Sequence, residues 1–492
     1  VSATSYQGSG ANLTGIGLTI APLAYNPDVS DDGAPASTGI GLTFNQRVSA
    51  GTGNVTLSLV AVGSTLVENF SVGSSVTYNN NANPPNITIN PTNDLSGNTV
   101  YAISYPSGAF TQSGAGGSFV GTAYTFATEK NQYGELWVVG HNQYGLLGQN
   151  DTNNRSSPIQ IPGNNWKSLS TGGGDNAYQS VAIKNDGTMW SWGRNNYGQL
   201  GHNNETDYSS PVQIPGTTWK YVSGRFGNIA TKTDGTMWSW GANDHGRLGL
   251  SDETTYSSPI QIPGTTWPTS SRYKLSFGSA FAGAVKTDGT LWMWGYNAHG
   301  QLGQDNTTSY SSPRQVGSDT TWAALSTFTY GTIATKTDGT LWSWGRNDYG
   351  QLGQNETGNP ARYSSPVQVG SDTTWGILNS SCSRYGVNAI KTDGTLWAWG
   401  KNTNGGMGTG TGGRSSPIQI PGTTWKEVAV GDDGQRVAVK TDGTLWAWGD
   451  NAQGQAGQNG GEDDYNSPVQ IPGSSWFSIS ARRLMNMAIK QL

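Results

Sequence analysis

Apolar and polar residues alternate along most of this chain with the period of two that marks β-strands, and the alternation comes in matched pairs. Val437-Ala-Val-Lys440 predicts one strand, Asp442-Gly443 a tight turn, and Thr444–Trp448 the strand that runs back. On that return strand Trp446 and Trp448 share one face while Leu445 and Ala447 take the other. The residue between the tryptophans is small in most copies (Ser191, Ser239, Ser343, Ala398, Ala447), with Val138 and Met293 as the larger cases. A large face meeting a small face suits sheets stacked radially against their neighbours, as propeller blades are.

The hairpin recurs as Lys184–Gly193, Lys232–Gly241, Lys286–Gly295, Lys336–Gly345, Lys391–Gly400 and Lys440–Gly449, preceded by a degenerate copy, Tyr133–Gly140. Successive final glycines lie 53, 48, 54, 50, 55 and 49 residues apart. A repeat of about fifty residues signals a propeller or solenoid. The first copy lacks a matching upstream strand, and Asn486–Lys490 supplies such a strand with no return partner. Pairing the two ends predicts a closed seven-bladed ring with no open sheet edge.

Three more parts recur in register. A Gly-x-x-Gly loop follows the tryptophans (Gly198–Gly201, Gly246–Gly249, Gly300–Gly303, Gly350–Gly353) and decays at Gly405–Gly408 and Gly454–Gly457. A Ser-Pro-x-Gln-Ile-Pro-Gly segment comes next, as at Ser210–Gly216 and Ser416–Gly422. Its prolines place that strand on a blade's outer edge, where a missing N–H is tolerated. A lone tryptophan closes each unit, at 166, 219, 267, 322, 375, 425 and 476.

This set strongly resembles the repeats of the regulator-of-chromosome-condensation family, over about residues 130–492, and the resemblance implies a seven-bladed β-propeller. Where that family often carries Gly-x-x-His ahead of the third strand, this chain has Gly224-Arg-Phe-Gly227 and similar, and none of His141, His202, His245 or His299 sits there. The family's founding member is a nucleotide-exchange factor for a small GTPase that binds chromatin. Repeat steps this even leave no room for a large protruding wedge. The same fold also serves as a β-lactamase inhibitory protein and as modules of bacterial and phage surface proteins, so fold alone does not choose a function.

Ahead of the repeats, short strands are predicted at Ile40–Phe44, Val55–Val60, Ser74–Tyr78, Ile87–Ile89, Val100–Tyr105 and Tyr124–Ala127, separated by Pro, Asn, Gly and Ser clusters. All 20 tryptophans lie at or beyond Trp137, so composition changes sharply near residue 129. Pro22–Pro27, Gly41–Val48, Asn98–Ala109 and Tyr124–Thr128 resemble bacterial Ig-like domains, which implies a β-sandwich spacer. The expected organisation is a linker or docking arm over 1–16, an Ig-like sandwich over 17–128 and the propeller over 129–492.

Charged residues make up only 12% of the chain, and the net charge is −5. No basic surface emerges for nucleic acid. One cysteine, Cys382, excludes an intrachain disulfide or a Cys-based metal cluster, and no apolar run is long enough for membrane insertion by a helix. The chain opens at Val1 with neither Met nor a signal-peptide pattern, which fits processing or a piece of something longer.

Catalytic chemistry is not indicated. His245 and His299 occupy the slot held by Tyr144, Tyr197 and Tyr349 in sister repeats, a structural position. Aspartates at 186, 234, 288, 338, 393 and 442 read as turn formers. Asp432-Asp433 and Glu462–Asp464 read as solvated turns rather than Ca²⁺ ligands, so no cofactor or metal is expected.

One segment does not repeat: the loop just upstream of each Ala-x-Lys strand. Its seven versions supply the candidate binding residues Asp175, Tyr178, Arg225, Phe226, Phe281, Phe328, Tyr330, Arg384, Tyr385, Asp432, Arg436, Arg482 and Arg483. Equivalent loops of a ring gather on one face, and Arg, Tyr and Phe are interface-anchoring types. A second ring (Arg155, Tyr208, Tyr256, Tyr310, Tyr363, Arg414, Tyr465) precedes each Ser-Pro and is expected to cover the outer strand.

The resulting expectation is a non-enzymatic binding or structural protein. Its charge-poor, Gly/Ser/Thr/Asn-rich make-up fits extracellular or virion material. The leading reading is a phage virion component whose propeller meets a protein or glycan on a host surface. Its N-terminal region would then meet other virion or surface proteins. The alternatives are a bacterial cell-surface adhesin and a secreted inhibitory propeller.

Overall fold

The computed structural model describes residues 18–19, 40–44, 48–59, 65–80, 86–89, 100–106, 108–112 and 122–127, and then 133–491 except 172–177, 359–361, 379–384, 411, 433, 459–462 and 483. Contacts divide the chain into two compact units, Val1–Gln132 and Tyr133–Leu492.

The described part of the first unit is all-β. It holds two four-stranded antiparallel sheets and a two-stranded ribbon, Val48–Ala50 with Phe110–Gln112. Val55, Leu57, Phe70, Ile87 and Ile89 form its interior, and the Tyr105 and Phe110 rings meet edge to face at 5.1 Å. Thr65–Ser71, unforeseen as a strand, lies at the end of its sheet. There Glu68 and Asn69 interrupt the alternation, and Leu66 and Val67 face solvent.

In the second unit every repeat builds one four-stranded antiparallel sheet, and the ends complete each other. Trp476–Arg482 and Met485–Gln491 from the C-terminal end pair in order with Gly134–Gly140 and Arg155–Gln160. We call this closing sheet the first blade. The second to seventh blades run from Trp166, Trp219, Leu275, Trp322, Trp375 and Trp425 in chain order. The first strand of each blade packs against that of the next, and the seventh returns to the first, so the ring is closed. The Ser-Pro strands are outermost, as their prolines require.

Large faces do meet small ones. Seven apolar clusters fill the seven blade junctions. Between the second and third blades, Trp219 and Trp240 of one press on Val181, Ile183, Met189 and Ile214 of the other. Each inner tryptophan also latches blades together. The indole N–H of Trp192, Trp240, Trp294, Trp344, Trp399 and Trp448 donates to a Gly-x-x-Gly loop carbonyl of the preceding blade, at 2.7–3.1 Å. A buried bond of this kind contributes about 1 kcal/mol.

The rest of the repeated motif is explained on the opposite face of the ring. In each repeated turn the aspartate accepts the N–H and hydroxyl of the threonine two residues on, as Asp442 does from Thr444 at 2.9 and 2.7 Å. That hydroxyl in turn accepts the outer indole N–H, here of Trp446 at 2.9 Å. The lysine ammonium sits between the lone and outer tryptophans, with Lys440 Nζ 4.7 and 4.4 Å from the Trp425 and Trp446 ring centres. Lysine, aspartate, threonine and two tryptophans thus form one interlocked unit, repeated around the ring.

A pH dependence follows. The threonine hydroxyl, and then its backbone N–H, hold the carboxyls of Asp234, Asp288, Asp393 and Asp442 below their ordinary value of 3.8. The folded carboxylates therefore bind protons less readily than the unfolded chain. Their stabilisation is fully present above about pH 3.8 and is lost as pH falls through the lower folded values. Thermal melts of the propeller are expected to keep a constant midpoint from these groups between pH 5 and 7 and to fall below pH 4. Asp-to-Asn substitution at several turns should flatten that acid limb.

Candidate interaction face

Two sets of loops rise on the face opposite the Asp-Gly turns: those joining the first two strands of each blade and those joining the last two. The second set is built on an asparagine two residues past each motif glycine. Asn142, Asn195, Asn243, Asn297, Asn347, Asn402 and Asn451 each accept the backbone N–H five residues on, at 2.7–2.9 Å. Asn195 also donates to the Asn204 carbonyl, which closes the loop. The sequence reading passed over this asparagine, although Gly-x-Asn stands at the same place in all seven copies. The motif glycine itself must be glycine: at Gly193 φ is +103°, and a Cβ would lie 2.4 Å from the Tyr178 carbonyl oxygen.

Loop tips reach across the junctions. Tyr144 meets Tyr178 at 5.2 Å, His299 meets Tyr330 at 4.8 Å and Tyr349 meets Tyr385 at 4.6 Å, each pair joining neighbouring blades. His245 meets Tyr296 at 4.7 Å, so the histidines share the tyrosines' slot. Cations cap these pairs. Arg194 lies 4.8 Å over Tyr144, Arg346 5.2 Å over Tyr330, and Lys401 about 5 Å from both Tyr349 and Tyr385. Tyr197 and Tyr349, 39% and 38% exposed, are the large hydrophobics that the described propeller leaves open, and both are loop tips on this face.

Of the candidate residues, Tyr178, Phe226, Tyr330 and Tyr385 are half-buried at the face. Six of these expectations need correction. Phe281 begins a strand and Phe328 ends one, and both are buried within blade junctions rather than exposed on loops. Arg225, Asp432, Arg436 and Arg482 are also buried. Asp175, Arg384 and Arg483 lie outside the described residues. The second ring braces the outer loops: Tyr256 donates to Asp252 at 2.9 Å and Arg155 pairs with Asp151 at 2.6 Å.

Buried charges close the ring's centre instead. Arg225 of the third blade reaches Asp432 of the seventh at 3.0 Å, and Thr329 of the fifth lies 3.5 Å from the same guanidinium. Arg436 donates to Asn388 at 2.8 Å and to the Gln435 carbonyl at 2.9 Å. Burial pulls its pKa down to about 9, and Asp432 opposes that fall, so it remains charged at neutral pH. On the other side of the ring, Arg272 pairs with Glu427 of the seventh blade and donates to Ser478 of the first at 2.9 Å. It belongs to Pro268–Lys274, an extra segment after the lone Trp267 that the sequence reading did not single out.

This architecture defines a closed seven-bladed propeller of tryptophan-rich repeats, uniform on one face and varied on the other. The chain belongs to the regulator of chromosome condensation (RCC1) repeat family, which residues 186–224, 234–270, 288–326, 338–389, 393–434 and 442–481 match, together about half of its length. It is 30% identical over 280 residues to the ultraviolet-B receptor UVR8 of Arabidopsis thaliana, covering 56% of this chain and 51% of the receptor. A stretch of 188 residues is 26% identical to the human E3 ubiquitin-protein ligase HERC2, 37% of this chain but 4% of the ligase. The chain thus spans about half the length of the first relative and a small part of the second. Among solved structures, Prp20p of Saccharomyces cerevisiae, described with its binding to Gsp1p and histones, superposes with a TM-score of 0.65 at 19% identity, over 73% of this chain and 92% of that one. Human WBSCR16 gives 0.63 at 19% identity, over 73% and 99%. These two likenesses are of fold.

Proposed function

We propose that this is a non-enzymatic binding protein whose varied propeller face engages a macromolecular partner. The observation that carries the reading is the gathering of exposed Tyr197 and Tyr349, with the cation-capped aromatic pairs, on one face of the ring. Aromatic and arginine side chains held in fixed positions lose little freedom on binding and dominate interface energetics. Protein binding described for Prp20p supports a protein as the partner class. The chain's low charge and Gly/Ser/Thr/Asn-rich composition favour display outside a cell, on a phage particle or a bacterial surface, with residues 17–128 as an Ig-like spacer.

The test has two arms. Quantitative mass spectrometry of purified virions, cell envelopes and culture supernatant is expected to recover the protein in fixed ratio to capsid and tail proteins; recovery from envelopes or supernatant alone would sink the virion setting. Binding of the labelled full chain to host cells should fall at least tenfold in Tyr197→Ser/Tyr349→Ser. Equal binding by this variant would refute the assignment of the face.

A further inference from the structure

We infer that the cleft between the first and second blades, at His141, Tyr144, Asn154 and Asp207, is a binding site for an uncharged saccharide. It is an open cleft of about 610 Å³, and all of its lining side chains carry a hydrogen-bonding group. An apolar ligand would strip water from these groups without replacing their bonds. An anion would meet the Asp207 carboxylate. A polyhydroxylated ring suits both constraints, because its hydroxyls pair with planar amide and carboxylate groups while its C–H groups pack beside an aromatic side chain.

The donors and acceptors are already held in place. Asp207 Oδ1 accepts the Asn195 N–H at 2.7 Å, which fixes the carboxylate and leaves Oδ2 to accept from a hydroxyl. Asn154 Oδ1 accepts the Asn142 N–H at 2.9 Å, and its amide donates to Gln453 at 3.0 Å. Tyr144 is held at φ +65° between Arg194 and Tyr178. Burial, and then the Arg482 charge, keep the His141 imidazole below its ordinary 6.5, so it is neutral at pH 7. Groups fixed before binding do not have to be ordered by the ligand.

The other junctions do not reproduce this set. Where the first blade has His141, the others carry Arg194, Ala242, Tyr296, Arg346, Lys401 and Asp450. Where the first and second blades have Asn154 and Asp207, the third to sixth carry Thr255, Ser309, Arg362 and Gly413. The seventh has Asp464, which likewise accepts the Asn451 N–H at 3.1 Å, but Asp450 and Gln453 stand there in place of His141 and Tyr144. The site shares the recognition face proposed above and rests on that reading, but not on the partner there being a protein.

Saturation-transfer NMR of the full chain with glucose, galactose, mannose and N-acetylglucosamine tests the inference. At least one sugar should receive saturation, with millimolar affinity. Tyr144→Ala and Asp207→Ala should each weaken it tenfold or more, while Tyr256→Phe, on the outer strand of the third blade, leaves it intact. Near-UV circular dichroism checks the fold. If Tyr144→Ala disturbs it, Asp207→Asn, which keeps an acceptor for the Asn195 N–H, carries the test. Transfer to none of the four sugars, or transfer that survives both cleft substitutions, overturns the inference. Sugar binding that persists in Tyr197→Ser/Tyr349→Ser while cell binding is unchanged would separate the failure of the protein-partner reading from that of this one.

Discussion

A chain ended at Leu484 is expected to lose the propeller's cooperative unfolding transition altogether. The missing strand, Met485–Gln491, lies between two others: it pairs residue for residue with Gly134–Gly140 on one side, and with Trp476–Arg482, across a bulge at Phe477, on the other. Its removal therefore leaves two unpaired edges and detaches the N-terminal half of the first blade from the C-terminal half. It also removes Met485, Met487 and Ile489 from the cluster between the first and second blades. Deleting a buried side chain of this size costs about 2–5 kcal/mol. Three such losses together rival the whole stability of a domain, about 5–15 kcal/mol, before the backbone ladder is counted. Thermal melts followed by near-UV circular dichroism, with tryptophans at every junction, read this directly. A truncated chain that melts sharply near the full-length midpoint would show that the ring does not depend on its closing strand.

That strand was legible in advance because it is half of a pattern whose other half stands some 350 residues earlier, and strand pairing demands both. The Ser-Pro strands at the outer edges and the radial packing of tryptophan against small residues were legible for the same reason: each follows from local chemistry repeated seven times. What the chain did not disclose was where a non-repeating side chain ends up. Phe281 and Phe328 look like interface anchors in a list of variable residues, yet a position that varies between blades can vary because each junction is filled differently. The loop asparagines failed in the opposite way. They recur without exception, but asparagine is so common in this chain that only alignment on the preceding glycine separates Asn195 or Asn297 from its neighbours. Arg225 and Asp432 were both singled out, and nothing in a spacing of 207 residues says that they meet across the ring. Arg272 was hidden because its role depends on an insertion that has no counterpart for comparison.

Asp432→Ala is expected to destabilise the propeller by about 3–5 kcal/mol, far more than an average loop substitution, because it removes one member of a buried ion pair and leaves the other. Asp432 and Arg225 are 7% and 4% exposed, and Nε of Arg225 has no hydrogen-bond partner among the described residues. Without the carboxylate the guanidinium would keep its charge with water excluded. Arg436 adds to the cost, since Asp432 is the charge that opposes the fall in its pKa. Replacing both members by apolar residues, Arg225→Met with Asp432→Leu, should recover most of the loss, as a well-packed apolar pair is nearly neutral against a buried ion pair. Urea denaturation of the wild type, Arg225→Met, Asp432→Leu and the double variant, with Asp432→Ala beside them, measures the coupling. A loss below about 1 kcal/mol for Asp432→Ala would mean that water reaches the centre of the ring and that the pair is screened like a surface one. The expected pattern, a large single-mutant loss and a small double-mutant loss, would identify the pair as a fixed cross-brace. Loops of the third and seventh blades would then hold their positions on the recognition face through it, and binding measured on Arg225→Met/Asp432→Leu would show how much of the face's order depends on that brace.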